Sequence, residues 1–315
     1  MERQSLTSCY QTAPLILTEG AVGLRVSHEF GIIPDRNIRN ASLIYDSRGR
    51  KALEIIYRQY LQVAEDYALP ILLMTNTRRA NKEMMDASSF KDKSVIPDYA
   101  DFLRGLSAQY NCDAYIGGII GCKGDAYTGE GALNVEDALS FHTWQINEFA
   151  KAKVDFIFEA IMPAIDEIIG ISMLVGRQNM PYIVSFMIRG NGKIIDGHSI
   201  HDAITIVDSS TEVKPLCYMT NCVHPDILRN ALSEKYNDTD TVRARFGGIQ
   251  ANAVCAEPDE LDSLLEMKTS PADELANSFL SLNEVLPIKI CGGCCGTDDR
   301  HIREIAKRLS AYHAS

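Results

Sequence analysis

Short apolar runs rich in β-branched residues alternate along the chain with longer stretches whose apolar positions recur at helical spacing. The first run is Leu15-Ile16-Leu17-Thr18, closed by Glu19-Gly20. From Arg50 to Tyr67, residues Leu53, Ile56, Tyr57, Tyr60, Leu61 and Ala64 mark one face of a helix. Pro70 opens the second run, ILLMTNT, and a helix is predicted near Asp98 to Gln109. The third run is CDAYIGG (Cys112 to Gly118), followed by a glycine-rich loop from Gly121 to Gly131 and a helix from Val135 to Ala152. VDFIFE (Val154 to Glu159) and PYIVSF (Pro181 to Phe186) are the fourth and fifth runs, with helices near Pro163 to Val175 and Ser199 to Val207. KPLCYMTNC (Lys214 to Cys222), ARFGGIQAN (Ala244 to Asn252) and LPIKICGG (Leu286 to Gly293) complete the set. Their helices are placed near Pro225 to Leu232, Pro271 to Leu282 and Asp298 to Ala311. Asp298 and Asp299 suit the positive end of the last one.

Eight strand candidates, each followed by a helix candidate, predict an α/β protein built as a single (β/α)8 TIM barrel, one domain over residues 1–315. The rival, an open doubly wound sheet, lacks its markers. No G-x-G-x-x-G opens a helix after the first strand, and no G-x-x-x-x-G-K-[ST] occurs. The segment from Phe30 to Arg50 is long for a first βα loop and is expected to cover one mouth of the barrel.

Composition narrows the partners. With 46% hydrophobic and 23% charged residues the chain is an ordinary globular one. Its formal charge of -11 argues against nucleic-acid or anionic-membrane partners, and no run of about 18 apolar residues predicts a membrane span. A homo-oligomer is allowed. Nine cysteines, an odd count, and an N-terminus without an apolar core lead us to expect a cytoplasmic protein with reduced thiols. There a cysteine cluster points to metal binding or catalysis.

Barrel chemistry belongs at the C-terminal ends of the strands. Those ends carry Glu19, Thr75-Asn76, Glu159, Ser185, Asn221-Cys222, Asn252 and Gly292-Gly293-Cys294-Cys295. Cys222 and Cys294 are 72 residues apart in sequence but only two strands apart around a barrel. Three thiolates at one mouth fit zinc with an open fourth position. Gly292, Gly293 and Gly296 would allow adjacent cysteines to reach one metal. Cys291 is the rival third ligand in place of Cys222, and Cys291-x-x-Cys294 can also be read as a redox pair. Cys112, Cys217 and Cys255 read as buried core thiols. Glu159 and Glu19 can hold an ammonium group or stand solvated at strand ends; Arg78 and Arg79 can meet a carboxylate or stand solvated at a helix start. His198, His201 and His224 have no second-metal spacing.

The run ICGGCCGTDDRHIREIA (Ile290 to Ala306) resembles the signature of the homocysteine S-methyltransferase family. That family includes the betaine-dependent enzymes and the homocysteine domain of cobalamin-dependent methionine synthase. LTEGAVG, TNT at Thr75 to Thr77, YTGEG, VDFIFEAIMP, VSFMIRGNGKIIDGHSIHDAI and TNCVHP resemble further family segments in the same order. The resemblance implies zinc held by Cys222, Cys294 and Cys295, which are also the catalytic residues. It implies homocysteine as acceptor, with Glu19 (at the family's Asp position), Glu159 and Asn221 binding substrate. Ala160 stands where the family has Thr, GGIIGCKG where it has Gly-Pro, and the seventh strand end keeps Asn252 without the nearby proline and tyrosine.

A free thiol is mostly protonated at neutral pH; zinc coordination deprotonates it and leaves the sulfur nucleophilic. The expected reaction is methyl transfer to the homocysteine thiol, giving methionine. The sequence ends just past the eighth helix, so no cobalamin or folate domain is expected. A betaine-like donor would call for an aromatic cage, but the single tryptophan, Trp144, falls on a helix. A sulfonium donor such as S-methylmethionine fits better, and a corrinoid protein in trans stays open. Two other classes remain: a non-catalytic zinc- or thiol-binding barrel, and a redox enzyme using Cys291 and Cys294.

Overall fold

The computed structural model describes residues 3–257 and 268–314. Eight parallel strands close into a barrel in sequential order: β1 (Ile16–Thr18), β2 (Ile71–Met74), β3 (Ala114–Gly121), β4 (Phe156–Met162), β5 (Tyr182–Phe186), β6 (Cys217–Val223), β7 (Phe246–Ala251) and β8 (Ile290–Gly293). Closure comes from β1 pairing with β8, Leu17 beside Cys291. The strands are buried on both faces apart from half-buried Ile119 in β3, which is why most of them read as apolar runs. The predicted (β/α)8 barrel is the fold observed.

Packing explains the glycine pair in β3. Gly117 faces the barrel interior, where its missing side chain leaves room for the Phe156 ring. Gly118 faces outward, where Phe149 of the helix Val135–Ala152 takes the same kind of space.

Helices that the alternation did not reveal shape the two ends. Helix α1 (Leu6–Thr12) lies against the N-terminal ends of the strands: Lys289 Nζ donates to the Tyr10 carbonyl, and the Tyr10 ring lies over Gly247. Just before it, Arg3 donates to the Ala114 carbonyl and pairs with Asp155. That end is closed. At the other end, the segment after helix α2 (Gly23–Phe30) forms a 3-10 turn at Asn40–Tyr45, and Asn40 reaches the barrel mouth, as expected for the long first loop.

Two strands carry an extra residue at that mouth. Between Asn221 and Val223 the β6–β7 register slips by one, and Cys222 takes the left-handed φ of 61°. Between Glu159 and Met162 the β4–β5 register slips likewise, with Ile161 at φ 48°. A bulge of this kind re-aims side chains, and a non-glycine residue there costs about 1–3 kcal/mol.

Candidate metal centre and the cavity beside it

The sulfurs of Cys222, Cys294 and Cys295 all lie within 4.8 Å of one another. Cys222 Sγ and Cys294 Sγ are 2.7 Å apart, and Cys294 Sγ and Cys295 Sγ 4.0 Å. Strict alternation would send Asn221 and Cys222 to opposite faces of β6. The bulge lets both line the same cavity.

The turn after β8 holds the other two. Cys294 N donates to the Ala251 carbonyl, and Thr297 returns to the Cys294 carbonyl through its amide and its hydroxyl. Gly296 has φ 79°, and a β-carbon there would come within 2.3 Å of the Lys268 carbonyl oxygen. Only glycine fits that corner. Asn252 ties the two halves together: its Nδ2 donates to the Cys222 carbonyl at 2.8 Å, and its Oδ1 accepts from Cys295 N at 3.2 Å.

At these distances each thiol acts on the others. Hydrogen bonds from Cys222 and Cys294 hold Cys295 well below the usual thiol range. Bonding to Cys222 and Cys295, together with burial, pushes Cys294 well above it. The cluster thus gives up a first proton readily and resists giving up more. A dication removes that resistance, and a set of three soft donors with no carboxylate among them suits zinc.

A cavity of about 270 Å³ opens onto this cluster. Glu19, Asn221, Cys222, Cys294 and Cys295 all line it. Glu19 is buried, and its carboxylate accepts from Met74 N at 3.1 Å. Burial raises its pKa to about 8 against an ordinary 4.5. Asn221 spends its side-chain oxygen on structure, accepting from Ile161 N at 2.9 Å and Ser185 Oγ at 2.5 Å. Only its amide nitrogen remains, 3.9 Å from Cys222 Sγ.

Glu159 is not in the cavity. Phe156 and Phe158 take the inward positions of β4, so Glu159 points outward, where Ser172 Oγ of the helix Ile165–Arg177 donates to it at 3.0 Å. Burial pushes its carboxyl far up. The expected substrate contact at Glu159 is therefore corrected: Ala160 and Ile161 stand at the mouth instead. Cys291 also lies apart, buried with its thiol directed to the Ile288 carbonyl. Of the three expected core thiols, Cys217 is buried, Cys112 half-buried and Cys255 exposed.

Two further lining residues, Gln250 and Tyr127, carried little signal in the sequence. Gln250 bridges to Thr18 Oγ1 at 3.0 Å. Tyr127 comes from the glycine-rich loop, which Glu167 ties down by accepting from Lys123 N and Leu133 N. Tyr127 lines the cavity together with the three cysteines, and negative charge on Cys222, and then burial, push its phenol up. Arg78, paired with Arg79 in the sequence, lines the wall just past β2.

Glu19 makes a testable mark on stability. Between pH 4.5 and about 8 the folded, metal-free protein holds a proton that the unfolded chain releases. Stability should therefore fall as pH rises through that window, by up to about 1.4 kcal/mol per pH unit from this group. Urea unfolding of wild type and Glu19→Gln from pH 5 to 8.5 checks it. The wild-type slope is expected to be the steeper, and parallel slopes would refute the protonated state.

A profile of the homocysteine S-methyltransferase family matches residues 16–309. No curated protein matches. Among solved structures, the chain resembles the homocysteine methyltransferase MmuM from Escherichia coli. The metallated form superposes with a TM-score of 0.76 at 16% identity, covering 96% of this chain and 98% of that one. The oxidized form gives 0.74 at 16% identity, covering 95% and 97%. The apo form gives 0.68 at 15% identity, again covering 95% and 97%.

Proposed function

Because the chain belongs to the homocysteine S-methyltransferase family, a family of enzymes, we propose that it moves a methyl group from a small donor to the thiol of homocysteine at a zinc centre held by Cys222, Cys294 and Cys295. The observation that carries the reading is the three-sulfur cluster opening onto a closed-ended cavity lined by Glu19. Bound by these thiolates, zinc would supply the Lewis acidity that keeps an acceptor thiol deprotonated at neutral pH. A metallated form of the similar E. coli enzyme supports a metal there.

The chain's own residues do the rest. Glu19, short of hydrogen-bond donors and buried, gains a partner when the substrate ammonium arrives, which restores its ionised form. Its position in the cavity that opens onto the cysteines fixes the acceptor sulfur near them. The acceptor sulfur then forms its bond to the methyl carbon as the donor's bond to that carbon breaks. A sulfonium donor leaves as a neutral thioether. Tyr127 is the one aromatic residue among the described residues lining the cavity, too few for a quaternary-ammonium cage, which favours a sulfonium over a betaine-like donor.

The test is label transfer. Reduced, zinc-loaded protein is incubated with homocysteine carrying a carbon-13-labelled backbone and S-methylmethionine carrying trideuterated methyl groups, and methionine is analysed by mass. Methionine with the homocysteine backbone and one labelled methyl is expected. Zinc retained with no transfer from sulfonium, betaine or methyl-corrinoid donors would make the barrel a binding protein.

A further inference from the structure

Among the described residues lining the cavity, Glu19 is the one carboxylate and Arg78 the one permanent cation. Arg78 is half-buried, and its stem lies along Gly121 at the end of β3. A β-carbon at Gly121 would come within 2.8 Å of Arg78 Cγ, so the glycine makes the space the arginine occupies. Among the described residues, no carboxylate pairs with Arg78 and no group accepts from it. A partly desolvated guanidinium without a partner is costly, and a planar five-donor fork matches a carboxylate. Arg78 lines the same cavity as Cys222, Cys294 and Cys295, which places it on the wall of the reacting site. One negative and one positive group on the walls of the same cavity complement a zwitterion.

We propose that Arg78 is a specificity residue that binds the α-carboxylate of an amino-acid reactant beside the three cysteines. The proposal rests on the reading of the site as a methyltransferase centre for an amino-acid thiol. The carboxylate belongs either to the acceptor or to an amino-acid sulfonium donor; the chemistry at Arg78 is the same.

The experiment compares two ligands on reduced, zinc-loaded protein by titration calorimetry. L-Methionine carries the carboxylate, and 3-(methylthio)propylamine lacks only that group. Wild type is expected to prefer methionine by at least about tenfold. Arg78→Gln should lose about tenfold on methionine and nothing on the amine, with Arg78→Lys in between and zinc content unchanged in both. An undiminished preference in Arg78→Gln overturns the proposal. So does equal weakening of both ligands with loss of zinc, which would make Arg78 a counter-charge to the thiolates. Steady-state kinetics locate the carboxylate: the KM for homocysteine alone rises if it is the acceptor's, the KM for the sulfonium alone if it is the donor's. A wild type that binds neither ligand and transfers no methyl would remove the functional reading itself. A wild type that does both, with Arg78→Gln unaffected, removes only the role of Arg78.

Discussion

Serine in place of Cys222, Cys294 or Cys295 is expected to strip zinc from the protein and to lower homocysteine methylation by at least about a thousandfold. The sulfurs of these residues lie within 4.8 Å of one another at the only three-ligand cluster among the described residues. A hydroxyl stays protonated near neutral pH and is a poor ligand, so each variant leaves two thiolates where three are needed. The substitution is nearly isosteric. In Cys222→Ser the new side chain inherits the left-handed backbone that Cys222 already adopts, so the fold should survive and the loss should be specific to the metal. Cys291→Ser is the control. Its thiol is buried against the Ile288 carbonyl, outside the cluster, and zinc and rate should both stay near wild type. Zinc is counted by elemental mass spectrometry on reduced protein, with near-ultraviolet dichroism to confirm packing. Zinc retained by Cys222→Ser and lost by Cys291→Ser would reverse the ligand assignment and restore the rival third ligand.

The barrel was legible because parallel strands covered on both faces must be apolar throughout, and eight such runs stood between amphipathic stretches. Counting strand ends then found the three cysteines and Glu19, because every strand of a barrel delivers its last residues to one rim. The same counting failed at Glu159. A residue at a strand end reaches the mouth only if its parity is inward, and Phe156 and Phe158 hold the inward positions there. The bulge that follows turns Ala160 and Ile161 toward the cavity instead. Nothing in the local sequence marks that bulge, since its left-handed residue is an isoleucine and its hydrogen-bond partner is Asn221, two strands away. Helix α1 was missed for a related reason: seven residues give too short a period to read, and what fixes it is contact with Gly247 and Lys289 at the far end of the chain. Arg78 and Asn252 were visible as residue types at strand ends; their roles depend on what the fold sets beside them.

Asn252→Ala is expected to weaken zinc binding by about 10- to 100-fold while leaving all three ligands in place. The left-handed turn at Cys222 takes its carbonyl out of the β6–β7 ladder, and Asn252 Nδ2 supplies the missing donor at 2.8 Å. The same side chain accepts from Cys295 N at 3.2 Å, so one buried amide fixes both strands of the ligand set. Alanine leaves a carbonyl and an amide unpaired in the interior, each costing about 1–3 kcal/mol. Cys222 can then relax toward an ordinary strand conformation, which would swing its sulfur away from Cys294. Asn252→Asp separates the two bonds, because a carboxylate still accepts from Cys295 N but cannot donate to the Cys222 carbonyl. It should fall nearer to alanine than to wild type if the bulge is what needs holding. Chelator competition gives the zinc affinity, and urea unfolding with and without zinc gives the coupling. A larger loss of stability in the zinc-loaded protein than in the metal-free one is expected, since tighter binding to the folded state is itself stabilisation. Equal losses in the two states would mean that Asn252 supports the barrel rim and has no part in shaping the metal centre.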